Sequence, residues 1–240
     1  MNEKKDGTGS FVAAIIVSVC LLFVMLITAF EAVTYWTPDF YEKEYTKHGV
    51  LSQMNREMTM ETMLGVTDEM MQYLRGNRPD LVVVAELDGV QQEFFNDREK
   101  AHMADVRNLF VGAIKLRRIA IGIVIAGILL LLILKRKQAV RILARGYKWA
   151  CGITAVLALV LTCLISTDFN YVFIKFHHIF FDNDLWLLDP YKDDMINMLP
   201  EGFFFDTVVR IGITFIIPAL VLLVIAAVIS RNKKEKPDLV

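Results

Sequence analysis

FVAAIIVSVCLLFVMLITAF, residues 11–30, is twenty residues long and contains no charged side chain. At ~1.5 Å of rise per residue, a helix of that length covers the ~30 Å hydrocarbon core of a bilayer. The run is too long for the apolar region of a signal peptide, and no small-x-small cleavage pattern follows it, so it reads as a retained anchor. Three more apolar runs occur at about 111–134, 149–165 and 208–229. The overall composition, 55% hydrophobic with a mean hydropathy of +0.45, is more apolar than an ordinary soluble domain.

The net charge of -1 conceals a strong asymmetry. Residues 135–148 carry Lys135, Arg136, Lys137, Arg141, Arg145 and Lys148 and no acid. Residues 31–113 and 166–207 carry 15 and 8 acidic side chains against 8 and 2 basic ones. Basic residues collect on the cytoplasmic side of membrane helices, so both termini are expected inside and both acidic segments outside. The basic residues are accounted for as topology signals, and no nucleic-acid partner is expected. Cys20, Cys151 and Cys163 all fall within apolar runs, which excludes a disulfide scaffold and a thiolate zinc site in the outer segments.

The chain accordingly divides into an anchor span (1–30), an extracytoplasmic α+β domain (31–110), a second span (111–134) and a basic cytoplasmic loop (135–148). A third span (149–165), an extracytoplasmic interfacial segment (166–207), a fourth span (208–230) and a basic cytoplasmic tail (231–240) follow. The expected fold is a membrane all-α bundle of four transmembrane helices. It carries a small mixed α+β extracytoplasmic domain, built of a β-hairpin and helices, and an interfacial helical segment.

Within the first outer segment, Thr37-Pro38 reads as the start of a helix that Gly49 closes, and a second helix is expected from Thr67 to Leu74, with Gly76 as its stop. Met54, Met58, Met60, Met63, Met70 and Met71 either line an adaptable groove for lipid or lipopeptide or simply pack; packing is the plainer reading, and a copper-binding methionine motif is a remote third. Asp88-Gly89 between two apolar runs is the signature of a two-residue type I′ hairpin turn. Asn96 with Glu99 forms a capping-box pattern at the start of a long helix. In the second outer segment, Phe169, Phe173, Phe176 and Phe180 recur at helical spacing, an aromatic stripe for a helix lying in the interface. Asp189-Pro190 is expected to start another short helix that ends at Leu199-Pro200, and Phe203-Phe204-Phe205 to form an aromatic belt. Pro218 is expected to kink the fourth span.

All four histidines, His48, His102, His177 and His178, lie in the outer segments, so any chemistry is expected on the outer face. Glu99 and Asp105 fall three residues before and after His102 on nearly one helix face, where a carboxylate can orient an imidazole; the plain alternative is a solvated charged face. A straight helix counted back from Lys135 holds His102 roughly 20 Å above the edge of the hydrocarbon, so catalysis by His102 predicts a bend or break around Asn108–Gly112. Arg117 and Arg118 stand at the outer end of the second span against the usual charge bias, and Arg210 stands near the outer end of the fourth. They either snorkel or bind a head group of the substrate.

Glu99-Lys100-Ala101-His102-Met103-Ala104-Asp105-Val106, the string Phe176-His177 through Asn183-Asp184-Leu185-Trp186 to Asp189-Pro190, and Leu199-Pro200-Glu201-Gly202-Phe203-Phe204 together resemble a bacterial family. Its members are four-span integral membrane proteins that include the lipoprotein intramolecular transacylase, and the resemblance covers the whole chain in length and span order. It implies that the sn-2 acyl chain of a diacylated lipoprotein's diacylglyceryl-cysteine moves onto that cysteine's own α-amine in the bacterial cell membrane. It also implies that His102 and His177 are the catalytic pair, with His178 next to the second. Glu99, Asp105, Asn183, Asp184 and Trp186 are the expected supporting residues, and Arg117, Arg118 and Arg210 the substrate-binding ones.

The residues fit that chemistry. An α-amine of pKa ~7.7–8.0 needs a base of the imidazole type, and the departing glycerol oxygen needs a proton back. Asn183 and Arg118 are candidates to stabilise the oxyanion. No cofactor or metal is expected; the partners are the diacylated lipoprotein and membrane lipid. Two rival readings are a metal-dependent membrane hydrolase using His102, His177 and nearby carboxylates, and a non-enzymatic outer-face sensor or assembly factor.

Overall fold

The computed structural model describes residues 2–231, with side chains from Thr8 onward. The tail expected over 231–240 therefore lies, beyond Arg231, outside the described residues. The chain is mostly helical: α1 (Asn2–Glu31) continues into a π-helical turn (Ala32–Trp36), followed by α2 (Phe40–Lys47), a 3-10 turn (Val50–Gln53) and α3 (Met60–Arg75). The hairpin β1 (Val84–Leu87) and β2 (Val90–Glu93) leads to α4 (Asp97–Lys135), a 3-10 turn (Arg136–Gln138) and α5 (Ala139–Thr167). Then come α6 (Phe169–Phe180), α7 (Asp194–Met198) and α8 (Glu201–Arg231).

Among the described residues, three helical stretches are long and apolar enough to cross a membrane: Thr8–Trp36, Asp97–Thr167 and Glu201–Arg231. The second consists of α4 and α5, interrupted where Arg136 adopts φ +44°. The connection expected as a loop over 135–148 is thus a three-residue turn, and α5 already begins at Ala139. Positive charge marks a side of the membrane but does not oppose helix formation, and Ala139-Val140-Arg141-Ile142-Leu143-Ala144 is a helix-favouring sequence.

The chain forms two compact units. One comprises, among the described residues, 2–32, 115–164 and 211–231. In it Leu22, Ala144, Tyr147, Ala150 and Ala226 form one buried cluster, and Ala14, Leu131 and Ala139 another. Small residues allow close helix approach in an environment where lipid is as apolar as the side chains. A Cβ on Gly146 would come within 2.7 Å of the Ala14 backbone, and one on Gly127 within 2.3 Å of Val17. Pro218 lies within α8, and the Tyr147 hydroxyl donates to the Ala219 carbonyl at 3.1 Å.

The other unit comprises Val33–Ile114 and Ile165–Arg210. Its core holds Phe40 and Tyr45 of α2, Met63, Val66 and Met70 of α3, Leu87 of β1, and Met198 and Phe203 of the second segment, all buried. Tyr45 shares a 2.8 Å hydrogen bond with Thr67, and its ring lies 6.0 Å from that of Phe203. Met63, Met70 and Met71 are buried, so these methionines are packing residues. The hairpin turns through Asp88 and Gly89 at φ 54° and 75°, the positive values a type I′ turn requires.

Other boundaries move. The residue before α2 is Asp39, at φ 54°, so the helix starts two residues later than the expected Thr37-Pro38 start. The second helix begins at Met60 rather than Thr67, because Thr59 caps it by accepting from the Thr62 N–H at 3.1 Å and Gly65 does not interrupt it. The helix expected from Asp189-Pro190 is reduced to α7, since Asp193 folds back to accept the Asp189 N–H at 2.6 Å. No break occurs at Asn108–Gly112: α4 is continuous, because a lone glycine costs a helix only ~1 kcal/mol.

Candidate active site

Asn96 accepts from the N–H groups of Arg98 and Glu99 at 2.9 and 3.0 Å, while the Glu99 carboxylate accepts from the Asn96 N–H at 2.8 Å. This reciprocal cap starts α4 and fixes the first turn, on which His102 follows. His177 sits in the last turn of α6, a helix capped at its start by Asp168, which accepts from the Tyr171 N–H at 2.8 Å. Both rings lie in the same unit. Their centroids are 6.0 Å apart, and both residues are 6% exposed.

Aromatic rings complete the enclosure. Phe181 packs edge-on to His102 at 5.3 Å and lies 5.6 Å from His177. Trp186 stacks on His177 at 4.8 Å, and its indole N–H donates to the Asn183 carbonyl at 3.0 Å. Asn183 in turn donates through Nδ2 to Asp105 on α4 at 2.9 Å. A continuous strut, Asp105–Asn183–Trp186, therefore ties the second outer segment to the helix that carries His102 and holds the His177 ring flat. Asp184 is exposed, with Arg98 3.9 Å from its carboxylate. His178 is exposed and meets Trp186 only edge-on.

Tautomer and charge follow from these surroundings. His177 Nδ1 is 2.7 Å from the Phe173 carbonyl, which can only accept, so Nδ1 carries the hydrogen and Nε2 keeps its lone pair. His102 Nδ1 is buried without a hydrogen-bond partner. Burial first, and then the neighbouring His177 ring, lowers the His102 pKa to about 4; burial also lowers that of His177. Both rings are therefore neutral near pH 7. Such a pair can accept a proton at one nitrogen and release one from another.

Glu99 does not serve His102. One oxygen is on the Asn96 N–H and the other accepts the Met195 N–H at 2.7 Å, so the carboxylate joins α7 to the start of α4. Burial pushes its pKa up to about 7 against the pull of those two amides. Asp105 likewise makes its hydrogen bond with Asn183 and not with His102. Asn183 acts as a strut in the same way, its amide nitrogen committed to Asp105. Among the proposed substrate-binding arginines, Arg117 forms an ion pair with Glu31, and Arg210 one with Glu44 at 2.8 Å. Arg118 is exposed.

Sequence reasoning missed Phe181, which closes the site on both rings, and the Phe173 carbonyl, which any residue at position 173 would supply. It also missed a second polar cluster. His48 Nε2 lies 2.7 Å from Asp206 and 3.6 Å from the buried Glu44. Among the described residues this is the grouping with metal-ligand spacing, but Lys47 on Asp206 and Arg210 on Glu44 already neutralise both carboxylates.

The long apolar helices mark the class, a membrane integral protein. A family profile for lipoprotein intramolecular transacylase Lit matches residues 15–204, and the chain belongs to that family, whose members act on lipoproteins. The solved structure of the membrane integral lipoprotein intramolecular transacylase Lit from Bacillus cereus matches with a TM-score of 0.75 at 22% identity, covering 96% of this chain and 100% of that one. A form of that protein with a histidine-to-alanine substitution matches with a TM-score of 0.73 at 20% identity, covering 98% and 100%. One with a histidine-to-arginine substitution matches with a TM-score of 0.72 at 21% identity, covering 95% of each chain. Among curated proteins no significant sequence match was found.

Proposed function

We propose that this enzyme moves the sn-2 acyl chain of a diacylglyceryl-cysteine lipoprotein onto the α-amine of the same cysteine, with His102 and His177 as its acid–base pair. The observation that carries this reading is the enclosure of two neutral imidazoles, 6.0 Å apart, contributed by two different outer segments. His177 presents a free Nε2 lone pair and takes the proton from the attacking amine. The nitrogen bonds to the ester carbon, and the carbon–oxygen bond to glycerol breaks as the tetrahedral intermediate collapses. The net reaction transfers one proton from nitrogen to the glyceryl oxygen. An imidazolium formed at His177 supplies it by way of His102, which accepts at one ring nitrogen and releases from the other. No proton need come from solvent. Donor and acceptor belong to one molecule, so positioning accounts for several kcal/mol of the barrier.

The topology proposed with it has four spans, formed by α1, the apolar parts of α4 and α5, and α8, with both termini cytoplasmic and the histidine pair on the extracytoplasmic face. The charge asymmetry of residues 135–148 supports it. With α4 unbroken, apolar surface has to extend outward from the hydrocarbon to the rings for an acyl chain to reach them. The half-exposed Phe176 and Phe180, with Phe173 4.2 Å from His177, supply such a surface on α6.

The test is purified protein in detergent with a synthetic diacylglyceryl-cysteine lipopeptide, read by mass spectrometry of the product. N-acyl lyso-lipopeptide should form and should be lost in both His102→Ala and His177→Ala, with His178→Ala retaining most of the rate. Turnover at near-normal rates in the first two variants overturns the mechanism; loss only in His178→Ala moves the catalytic ring by one position.

A further inference from the structure

We propose that the groove between α3 and the free edge of β1 binds an extended peptide segment bearing lysine or arginine, which adds a strand to the hairpin. The sheet has two strands, so β1 has one edge without a strand partner. Val84 pairs with Glu93, and the Phe94 N–H donates to the Val83 carbonyl at 2.8 Å. In an antiparallel ladder the bonded positions alternate, so Val83, Ala85 and Leu87 face β2. Val84 and Glu86 direct their N–H and C=O groups to the other edge. Beyond them the edge is closed, since Val82 is engaged at both ends, its N–H by Asp80 and its carbonyl by Arg78. Two outward residues offer four main-chain hydrogen bonds to an incoming strand.

That edge does not face bulk solvent alone. It forms one wall of a groove of about 840 Å³ whose other wall is the face of α3 bearing Glu61, Gly65 and Glu69. A helix beside an open strand edge is the geometry in which peptides are bound by strand addition, with main-chain bonds giving affinity and alternate side chains giving selectivity. A Cβ on Gly65 would meet nothing within 4 Å, so the helix wall leaves room for a side chain. On the outer face of the hairpin, Val82 and Val84 are 50% and 61% exposed and offer apolar surface for the other set of side chains. Natural edge strands are commonly guarded by lysine, proline or a bulge. The Val84–Leu87 strand has none of these, and its one charge is Glu86.

Charge decides the occupant. Glu57, Glu61, Glu69 and Glu86 line the groove, and no lysine or arginine does. Glu69 is paired with Arg78, which leaves the groove net acidic. A cationic extended peptide is therefore favoured, with its neutral backbone on the edge and its basic side chains toward α3.

The test uses the full chain in a neutral detergent and a fluorescein-labelled (Thr-Lys)4 peptide, with binding read by anisotropy. Saturable binding is expected, weakened by added salt, and absent for a (Thr-Glu)4 peptide. A (Thr-Lys)4 peptide N-methylated at alternate residues should bind at least tenfold more weakly. Val84→Pro removes an outward N–H while leaving the bonded positions of β1 intact, and it should also weaken binding at least tenfold; turnover of a short lipopeptide should be unchanged. Glu61→Gln with Glu86→Gln should weaken it without affecting the hairpin. If (Thr-Lys)4 does not bind, or if the N-methylated peptide binds equally well, strand addition is overturned. The N-methylated peptide decides this even if Val84→Pro fails to fold. Lipopeptide turnover tests the histidine pair separately, so failure of one reading is distinguishable from failure of the other.

Discussion

His102 on α4 and His177 on α6 lie with ring centroids 6.0 Å apart and planes inclined by 34°, Phe181 packed against both. Removing both rings from water makes each harder to charge, and His177 also disfavours a proton on His102. The first expected outcome is spectroscopic. In a pH titration followed by histidine NMR, His102 should remain neutral well below the ordinary value near 6.5 and protonate near pH 4. A His102 titration near 6.5 would show that the ring is hydrated and that the enclosure is open in solution.

The same shift fixes the form of the pH–rate profile. With both rings neutral, the acid limb of kcat/KM should follow the substrate α-amine, near ~7.7–8.0 in model peptides, and not an imidazole near 6.5. Replacing the free amine by one of lower pKa, for example through an electron-withdrawing neighbour in the lipopeptide, should move that limb by the same amount. An acid limb that does not move with the amine would assign it to the enzyme.

Glu99 and the two rings should act on stability with opposite sign. The Glu99 pKa is raised, so between 4.5 and about 7 the folded state holds the proton more tightly and stability falls as pH rises. The His102 pKa is lowered, so between about 4 and 6.5 the unfolded state holds the proton more tightly and stability rises with pH. The two slopes oppose each other across roughly pH 4.5–6.5. His177, whose pKa is also lowered, adds to the rising slope. Against the parent in detergent, Glu99→Gln should show a melting temperature that climbs more steeply with pH, and His102→Asn one that climbs less. Parallel curves for the three proteins would remove both shifts.

Much of this site could be read from the sequence, and the part that could not has a common cause. The capping box at Asn96 and Glu99, the Asp88-Gly89 turn and the apolar runs are local patterns, and each has its counterpart in the structure. The expectation that Glu99 orients His102 rested on helical spacing alone. Spacing places two side chains on one face but does not say which donor a carboxylate meets, and the Met195 N–H comes from 96 residues away. The ends of α3 and α7 are set by local hydrogen bonds of Thr59 and Asp193 that compete with helix propensity, and residue types alone do not say which wins. Phe181 carried no signal because a phenylalanine beside a histidine is ordinary in an aromatic-rich segment.

Trp186 holds the His177 ring by stacking, and its N–H is anchored on Asn183, which is tied to Asp105. Trp186→Phe keeps a ring over His177 but loses the anchor, worth ~1 kcal/mol, and should reduce kcat several-fold at unchanged KM. Trp186→Ala removes the stacking as well and should reduce kcat by ~10²-fold. Equal loss of kcat and rise of KM in both variants would instead make Trp186 a substrate contact.

Arg210 distinguishes a structural ion pair from a head-group ligand. Its guanidinium lies 2.8 Å from Glu44, a side chain 1% exposed that is itself close to His48, and it also stacks over Phe40 at 5.6 Å. Arg210→Ala leaves a buried carboxylate with its charge partner removed, a change that costs ~3–5 kcal/mol when the partner is lost outright. His48 remains 3.6 Å from Glu44, so the lower end is expected here. The loss should be seen as a lower unfolding temperature in detergent. Lipopeptide KM, measured below that temperature, should stay within about twofold. Arg210→Leu combined with Glu44→Leu should recover most of the stability, because a matched apolar pair leaves no uncompensated charge. If Arg210→Ala instead raises KM tenfold with unchanged thermal stability, the arginine is reaching the substrate and its pairing with Glu44 gives way when the lipid head group arrives.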